Sequence, residues 1–281
     1  MAQPPLAPPV HTVPGRTAPV RTVEVAGRTI RYAAEGQGAE TVVFVHGYGG
    51  DRLSWMLVQP RIAEAARTFA PDLPGHGGST KDVGPGTLSF FADTVRGFLD
   101  AVAAGPVHVV GHSMGGAVAL AFAEAAPQRV RSLTLVAPAA FGTPANKPFV
   151  EDFIALDRPE QVRPLMAQIL ADARMISSQV VDLVLAYKRT PGVPEALRTI
   201  ADALFEPDGT ARHDFRPLLA RLRCPVEVVW GDADGIVPVA AADGLPPEVG
   251  VTRIPGVGHA PHLERPAVVV QAIRRAIART A

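Results

Sequence analysis

Ser113 lies between two glycines in the stretch Gly-His-Ser-Met-Gly at residues 111–115. The apolar residues before it predict a buried strand over 106–110, and the residues after it predict a helix over 114–126. Glycine at 111 and 115 permits a very tight reversal, because side chains there would collide with neighbouring backbone. A serine on such a turn has its hydroxyl lifted clear of the sheet, which predicts that Ser113 is a nucleophile.

A serine hydroxyl needs a neighbouring imidazole to accept its proton and an acid to orient that imidazole, expected in the chain order serine, acid, histidine. His259 follows the last predicted strand in the stretch GVGHAPH, where a loop passes over the carboxyl ends of the strands. We therefore predict that His259 is the base. His213 precedes a strand and is expected at the opposite end of the sheet. His262 is the competitor, but no further Cys or His cluster accompanies its His-x-x-His spacing, so we expect no metal site and no cofactor.

The stretch WGDADGIVP follows a predicted strand over 226–230 and offers Asp232 and Asp234 as the orienting acid. Asp234 lies deeper in the loop and is predicted to hold His259, whereas Asp232 is predicted to cap the turn through its own backbone. The stretch VAPAAFGTP, which follows the strand predicted over 132–136, contains no acidic residue. The main alternative position for the acid is therefore empty.

Stabilising a tetrahedral oxyanion requires two backbone N–H donors. The amide of Met114 is one candidate, because it opens the helix after the nucleophile. The amide of Tyr48 in HGYGG, after a strand predicted over 41–45, is the second. A phosphate-binding loop is the alternative for HGYGG, but Arg52 stands where that pattern requires glycine, and no Gly-Lys-Ser/Thr sequence occurs in the chain.

The elements that would position these residues alternate along the chain. Strands are predicted over 22–26, 29–34, 41–45, 69–71, 106–110, 132–136, 226–230 and 251–254, and helices around 55–68, 88–103, 114–126, 240–245 and 266–279. This alternation predicts an α/β fold with a mostly parallel eight-stranded sheet and helices on both faces. Only helical spacing occurs between about residues 141 and 217, over 148–156, 160–170, 177–188 and 194–204, which predicts an inserted helical cap.

Composition limits the class of partner. The chain has 281 residues, of which 47% are hydrophobic, and 27 basic residues balance 27 acidic ones. We therefore expect a small-molecule partner rather than a nucleic acid or a membrane. The only cysteine is Cys224, which excludes an intrachain disulfide and favours a cytoplasmic location.

The first 20 residues contain six prolines and lack the charged and apolar regions of a signal peptide. We expect residues 1–20 to form a flexible Pro/Ala-rich arm, and residues 21–281 to form one domain that contains the cap.

The stretches HGYGGD, DLPGHGGS, GHSMGG, WGDADGIVP and GVGH together resemble the α/β-hydrolase superfamily over about residues 21–279. Within it, HGYGGDRLSW, LPGHGGSTKDVG and LAYKRTPGV are most similar to the hydrolase domain attached to the dihydrolipoamide acetyltransferase subunit of bacterial acetoin dehydrogenase complexes. Those proteins begin with a lipoyl domain, whereas only the Pro/Ala-rich arm is expected before the hydrolase domain here. The resemblance implies an association with such a dehydrogenase complex.

The leading functional hypothesis is a serine hydrolase that cleaves carboxylic ester or thioester bonds of a small apolar substrate through an acyl-enzyme on Ser113. An acyltransferase is the alternative, and a carbon–carbon bond hydrolase ranks lower. The complete set of Ser113, Asp234 and His259 argues against an inactive binding scaffold, and a dehalogenase would require a carboxylate at position 113. We expect the substrate between sheet and cap, and its predicted contacts, each of which could equally be a core residue, are Tyr48, Trp55, Met114, Phe141 and cap residues such as Phe153 or Met166.

Overall fold

A computed structural model describes residues 19–142, 146–206 and 210–280. Its eight strands are β1 Val20–Val25, β2 Arg28–Glu35, β3 Thr41–Val45, β4 Arg67–Pro71, β5 Val107–His112, β6 Val130–Val136, β7 Val226–Gly231 and β8 Gly250–Ile254. The arm predicted over 1–20 lies outside the described residues except for its last two positions. Of these, Val20 already begins β1.

The eight strands form one sheet in the order β1-β2-β4-β3-β5-β6-β7-β8. The pairs β1–β2 and β2–β4 are antiparallel, and the other five pairs are parallel. The predicted mostly parallel, eight-stranded sheet is therefore confirmed. Because the carboxyl ends of parallel strands meet at one edge, the loops that follow β3, β5, β7 and β8 converge there.

Helices cover both faces of the sheet, as predicted. The four that follow the alternation are α1 Gln59–Ala63, α2 Leu88–Ala101, α3 Met114–Ala125 and α10 Pro266–Ala278, and the short α9 Pro261–Glu264 directly precedes α10. The buried side chains of α2 and α3 form one apolar cluster with the sheet, and those of α1 and α10 form a second cluster. The neighbouring residues Val109 and Val110 of β5 belong to different clusters, because successive side chains of a strand point to opposite faces.

Two predicted helices are much shorter in the structure. The helix predicted around 55–68 is a 3₁₀ turn over Arg52–Trp55 followed by the five-residue α1, because Pro60 is accepted only at the start of a helix and β4 already begins at Arg67. The helix predicted around 240–245 is a 3₁₀ turn over Val239–Ala242, which Gly244 and the following two prolines prevent from continuing.

The described chain between β6 and β7 consists of helices joined by turns and loops. Four helices, here called the cap helices, are α4 Lys147–Ala155, α5 Pro159–Ile169, α6 Ser178–Lys188 and α7 Val193–Leu204, and the short α8 Arg216–Leu219 follows them. Phe141 and Asp214 form an isolated antiparallel bridge, so the chain leaves the sheet and returns to it at adjacent points. No helix in the described part of the chain is long and apolar enough to cross a membrane.

Candidate active site

Ser113 occupies the turn between β5 and α3 in a conformation that side-chain-bearing residues rarely adopt, with φ 52° and ψ −119°. Such a backbone conformation costs on the order of 1–3 kcal/mol and persists only where the surrounding structure enforces it. A Cβ atom on Gly111 would lie 2.3 Å from the Gly115 carbonyl oxygen, and one on Gly115 would lie 2.2 Å from that of Val45. The two glycines therefore let β5, α3 and β3 approach closely enough to present the Ser113 side chain.

Asp234 holds the imidazole of His259. The two side chains meet at 2.8 Å between Asp234 Oδ2 and His259 Nδ1, and both are nearly fully buried. The carboxylate also accepts hydrogen bonds from the Trp230 indole at 2.9 Å and from the amides of Ile236 and Val237 at 2.8 and 2.9 Å. Because four donors fix the carboxylate, Nδ1 of His259 carries the proton and Nε2 is left to accept one.

Asp232 has different surroundings. It is exposed, and its Oδ1 accepts a hydrogen bond at 2.7 Å from the Gly256 amide, in the loop that follows β8. The bond predicted within its own turn is therefore replaced by a bridge between two loops. Of the two aspartates, only Asp234 reaches the imidazole of His259.

The loop that carries His259 is tied to the cap helices. The His259 amide donates to the Ile169 carbonyl at the end of α5, at 2.7 Å. The buried Glu264 accepts from the Gly258 amide at 2.8 Å and from the Asp172 amide at 3.1 Å. No sequence pattern indicated this role for Glu264, since a lone glutamate in a polar stretch has no periodic signal.

His262 packs behind the site rather than in it. Its ring lies 4.8 Å from that of Trp55 and 4.3 Å from that of His112, and burial lowers its pKa to about 3. The His112 ring bonds the His259 carbonyl oxygen at 2.8 Å, and burial also holds the pKa of His112 well below its ordinary value. Both rings are therefore neutral packing groups, and the described residues contain no group of side chains suited to a metal ion.

The HGYGG loop passes directly over Ser113. A Cβ atom on Gly47 would lie 2.9 Å from His112 Nδ1 and 3.1 Å from the Ser113 Cβ, so a side chain there would require these neighbours to shift. Neither the Tyr48 amide nor the Met114 amide donates a hydrogen bond to another described residue. Two backbone donors are thus available beside the serine.

His46 fixes the orientation of the peptide group between Gly47 and Tyr48. Its Nε2 accepts from the Leu73 amide at 2.9 Å, so the proton lies on Nδ1, which donates to the Gly47 carbonyl at 2.8 Å. The Gly50 amide donates to the same carbonyl at 3.1 Å. Because a peptide is planar and trans, two bonds on its oxygen direct the Tyr48 N–H to the opposite side.

Ser113 and His259 line one cavity of about 100 Å³ between the sheet and the cap helices. The structure brings Tyr48 and Met114 to the same cavity. The remaining wall is mostly apolar and comprises Leu88, His112, Ala117, Ala139, Phe149, Val150, Ile169, Leu204, Phe205, Ala211, His213, Ile236 and Val237.

Four predicted substrate contacts, namely Trp55, Phe141, Phe153 and Met166, do not line this cavity, and Met166 is instead buried in the first apolar cluster. Trp55 is fully buried in the second apolar cluster, 5.2 Å from the Phe44 ring, because the 3₁₀ turn that carries it packs against the sheet. Phe141 is 2% exposed and packs 6.2 Å from Trp230 at the base of the insertion. Phe149 of α4 lines the cavity, whereas Phe153, one helical turn later, does not.

The position of His213 differs from the one predicted from the sequence. It is exposed and lines the cavity, with its ring stacked 5.9 Å from that of Phe215, instead of lying at the opposite end of the sheet. The reason is that α8 separates residue 213 from β7, so His213 still belongs to the returning end of the insertion.

A second serine, histidine and carboxylate are linked far along the sheet from this cavity. His108 Nδ1 lies 2.8 Å from Ser132 Oγ, and His108 Nε2 lies 2.9 Å from Glu40 Oε2. Both Ser132 and His108 are 1% exposed within neighbouring parallel strands. Because Ser132 and His108 are buried within strands and Glu40 lies directly before β3, this chain of hydrogen bonds is a polar tie at the sheet.

Comparison with known proteins is consistent with this geometry. The family model described as alpha/beta hydrolase fold matches residues 40–266. A dihydrolipoyllysine-residue acetyltransferase component of an acetoin cleaving system from Cupriavidus necator is 41% identical over 244 residues, which cover 86% of this chain and 64% of that protein. The chain thus spans less than two thirds of that relative's length.

A pimeloyl-(acyl-carrier protein) methyl ester esterase from Aromatoleum aromaticum is 32% identical over 263 residues, covering 83% of this chain and 98% of the esterase. Among solved structures, a meta-cleavage product hydrolase from Pseudomonas fluorescens superimposes with a TM-score of 0.84 at 19% identity, covering 93% of this chain and 98% of the other. At that identity the likeness is one of fold alone.

Proposed function

The chain belongs to the alpha/beta hydrolase fold family, and from that premise we propose that it is a serine hydrolase acting on carboxylic ester or thioester bonds. The observation that carries the proposal is the shared cavity: Ser113 and His259 both line it, and Asp234 holds the far nitrogen of the imidazole. The largely apolar wall suits a small apolar substrate.

In the proposed reaction, Ser113 Oγ forms a bond to the carbonyl carbon of the substrate. The hydroxyl proton passes to Nε2 of His259, and the imidazolium then protonates the leaving oxygen or sulfur as its bond to carbon breaks. A water molecule next attacks the acyl-enzyme and gives one proton to His259. The carboxylic acid departs as Ser113 regains that proton.

Negative charge develops on the carbonyl oxygen in both halves of this reaction. We assign its stabilisation to the amides of Tyr48 and Met114, which have no other acceptor in the described part of the chain. Donors that are already oriented need no reorganisation when the charge appears, and removing one such donor costs roughly 10²–10³-fold in kcat.

Labelling with a fluorophosphonate tests the proposal. We expect one label per chain, on Ser113, and the Ser113→Ala variant should lose the label and at least about 10⁴-fold in kcat while remaining folded. Ser132→Ala is the matched control, because it removes the serine of the buried Ser132–His108–Glu40 tie and should leave labelling unchanged. Labelling that survives in Ser113→Ala would contradict the assignment.

Acyl transfer is the second candidate function, favoured by the relative that is named as an acetyltransferase component. The acyl-enzyme on Ser113 would be the same, and a thiol would replace water in the second half. Association with a dehydrogenase complex belongs to this candidate. Turnover of acetyl esters with and without dihydrolipoamide separates the two functions: hydrolysis predicts free acid as the main product, and transfer predicts a thioester at acceptor concentrations far below that of water.

A further inference from the structure

The cavity beside Ser113 is small. Its volume is about 100 Å³, whereas a dry cavity that accepts a six-carbon ring measures roughly 150 Å³. By proportion, about four carbon atoms fit in it. We infer that this cavity holds the acyl group of the substrate, that it admits aliphatic acyl chains of two to four carbons, and that Phe149 sets this limit. The inference rests on the proposed serine hydrolase function.

The lining residues differ in exposure, and we call the part of the cavity formed by the buried ones its buried end. Met114 and Val237 are 2% exposed and Phe149 is 7% exposed, whereas His213 is an exposed residue. In a reaction through an acyl-enzyme, the leaving group departs first and water then enters, while the acyl group stays bonded to the serine. The buried end therefore suits the acyl chain, and the end at His213 suits the leaving group.

Phe149 cannot easily move aside for a longer chain. Its ring is stacked on that of Phe153 with the ring centroids 6.0 Å apart. Phe153 in turn packs against the HGYGG loop, where a Cβ atom on Gly49 would lie 2.4 Å from the Phe153 ring. The ammonium group of Lys188 lies 5.3 Å from the centroid of the Phe153 ring and donates to the Ile154 carbonyl at 3.0 Å. These contacts hold the Phe153 ring in place beside the Phe149 ring.

The backbone of Phe149 is also fixed. Asn146 caps α4 by accepting a hydrogen bond from the Phe149 amide at 3.0 Å, and its side-chain amide donates to the Gly235 carbonyl at 3.0 Å. The backbone N–H of Asn146 donates to the Ile236 carbonyl at 3.0 Å. The start of α4 is thereby bound to the loop that carries Asp234, so the wall of the cavity and the catalytic loop hold one position.

The chemistry of the buried end favours an uncharged chain. Its lining contains aliphatic and aromatic side chains, and the polar groups of the cavity belong to the proposed catalytic residues and their neighbours or to His213. A carboxylate or ammonium group on the acyl chain would lose its hydration there without gaining a partner. Short aliphatic acids are therefore the expected acyl donors.

The experiment compares kcat/KM for p-nitrophenyl acetate, butyrate, octanoate and laurate. We expect acetate and butyrate to be the best substrates and octanoate to be at least about 100-fold poorer than butyrate, since misfit of single methylene groups already changes kcat/KM by about tenfold or more. The Phe149→Ala variant should raise the octanoate-to-butyrate ratio at least roughly tenfold. Phe141→Ala is the matched control: it truncates another buried phenylalanine outside the cavity and should leave the ratio unchanged.

The leaving group should matter much less. p-Nitrophenyl butyrate and 4-methylumbelliferyl butyrate, two activated esters of different size, should differ by less than about tenfold in kcat/KM. A flat acyl profile, an optimum at octanoate, or an unchanged ratio in Phe149→Ala would overturn the inference while fluorophosphonate labelling of Ser113 still supported the proposed function. Failure of both labelling and ester cleavage would overturn the two together.

Discussion

Asp234 and Asp232 are separated by one residue, yet only Asp234 bonds the imidazole of His259. At the scale of single residues, we expect Asp234→Asn to lower kcat by about 10⁴-fold, because an amide at this position favours the wrong tautomer of the histidine. Asp232→Asn should lose less than about tenfold in kcat and about 1 kcal/mol in the free energy of unfolding, since it only weakens a bridge between two loops. Steady-state kinetics on a short-chain ester measures kcat of both variants, and urea unfolding measures the free energy of unfolding of Asp232→Asn.

The two substitutions are matched in size and charge and lie in the same loop, so each serves as the control for the other. Equal losses, or a larger loss in Asp232→Asn, would contradict the assignment of Asp234. Circular dichroism of both variants would show that neither has lost its fold.

Two tyrosine hydroxyl groups form hydrogen bonds between the cap helices and the loops that follow β3 and β4. Tyr48, from the loop after β3, donates its hydroxyl proton to the Leu197 carbonyl of α7 at 2.9 Å, and Tyr187 of α6 donates to the Gly75 carbonyl at 3.4 Å. Burial raises the pKa of both hydroxyl groups, so both remain protonated donors. Tyr48 therefore links α7 through its side chain to the loop whose backbone amide is the proposed oxyanion donor.

At the scale of elements, this link predicts a specific effect of Tyr48→Phe. The variant keeps the backbone amide and the ring but loses the bond to α7, so KM should rise several-fold while kcat falls less than about threefold. Hydrogen exchange in α7 should become faster, in line with the loss of about 1 kcal/mol of local stability. Tyr187→Phe is the control with a longer and weaker bond, and a large fall in kcat with constant KM in Tyr48→Phe would contradict the prediction.

The sequence predicts elements better than it predicts which neighbours they meet. The bounds of β3 were predicted to the residue, and those of α4 and α7 to within one residue, because an apolar period bounded by Pro, Gly or polar residues is a local signal. The helix predicted around 55–68 failed because pairing of β4 with its neighbours overrides the local period.

The candidate site shows the same difference between what local sequence predicts and what tertiary contacts decide. That Ser113 and His259 lie near each other, with Asp234 beside His259, could be predicted because the position of each relative to a strand end is a property of the chain. The lining of the cavity could not: Phe149 and Phe153 are one turn apart on the same face of α4, and the periodicity makes them equivalent, yet only Phe149 reaches the cavity. Tertiary packing decides between them.

At the scale of the whole molecule, buried histidines make stability depend on pH. Burial holds the pKa of His76, His112 and His262 below the ordinary value of 6.5. The unfolded chain therefore binds protons at pH 5–6 that the folded chain does not. The free energy of unfolding is accordingly highest above pH 6.5 and is lost as the pH falls, by up to about 1.4 kcal/mol per pH unit for each histidine.

Urea unfolding at pH 7.5, 6.5 and 5.5 measures this slope. The His262→Phe variant keeps a ring beside Trp55 but cannot bind a proton, so the loss in the free energy of unfolding between pH 6.5 and 5.5 should be smaller by about 1 kcal/mol than in the parent protein. His213→Phe, which changes an exposed histidine, should leave the slope as it is in the parent protein. An unchanged slope in His262→Phe would show that its pKa is not depressed.

The buried tie of Ser132, His108 and Glu40 has a consequence for finding enzymes by three-dimensional templates. A search that matches only a serine oxygen, an imidazole and a carboxylate within hydrogen-bonding distance would return Ser132, His108 and Glu40, although neither Ser132 nor His108 is accessible to a substrate. Backbone conformation distinguishes Ser132 from Ser113, because Ser132 lies within strand β6 whereas Ser113 has φ 52° at a turn. A template that included the serine φ and its solvent exposure would retain Ser113 and discard Ser132.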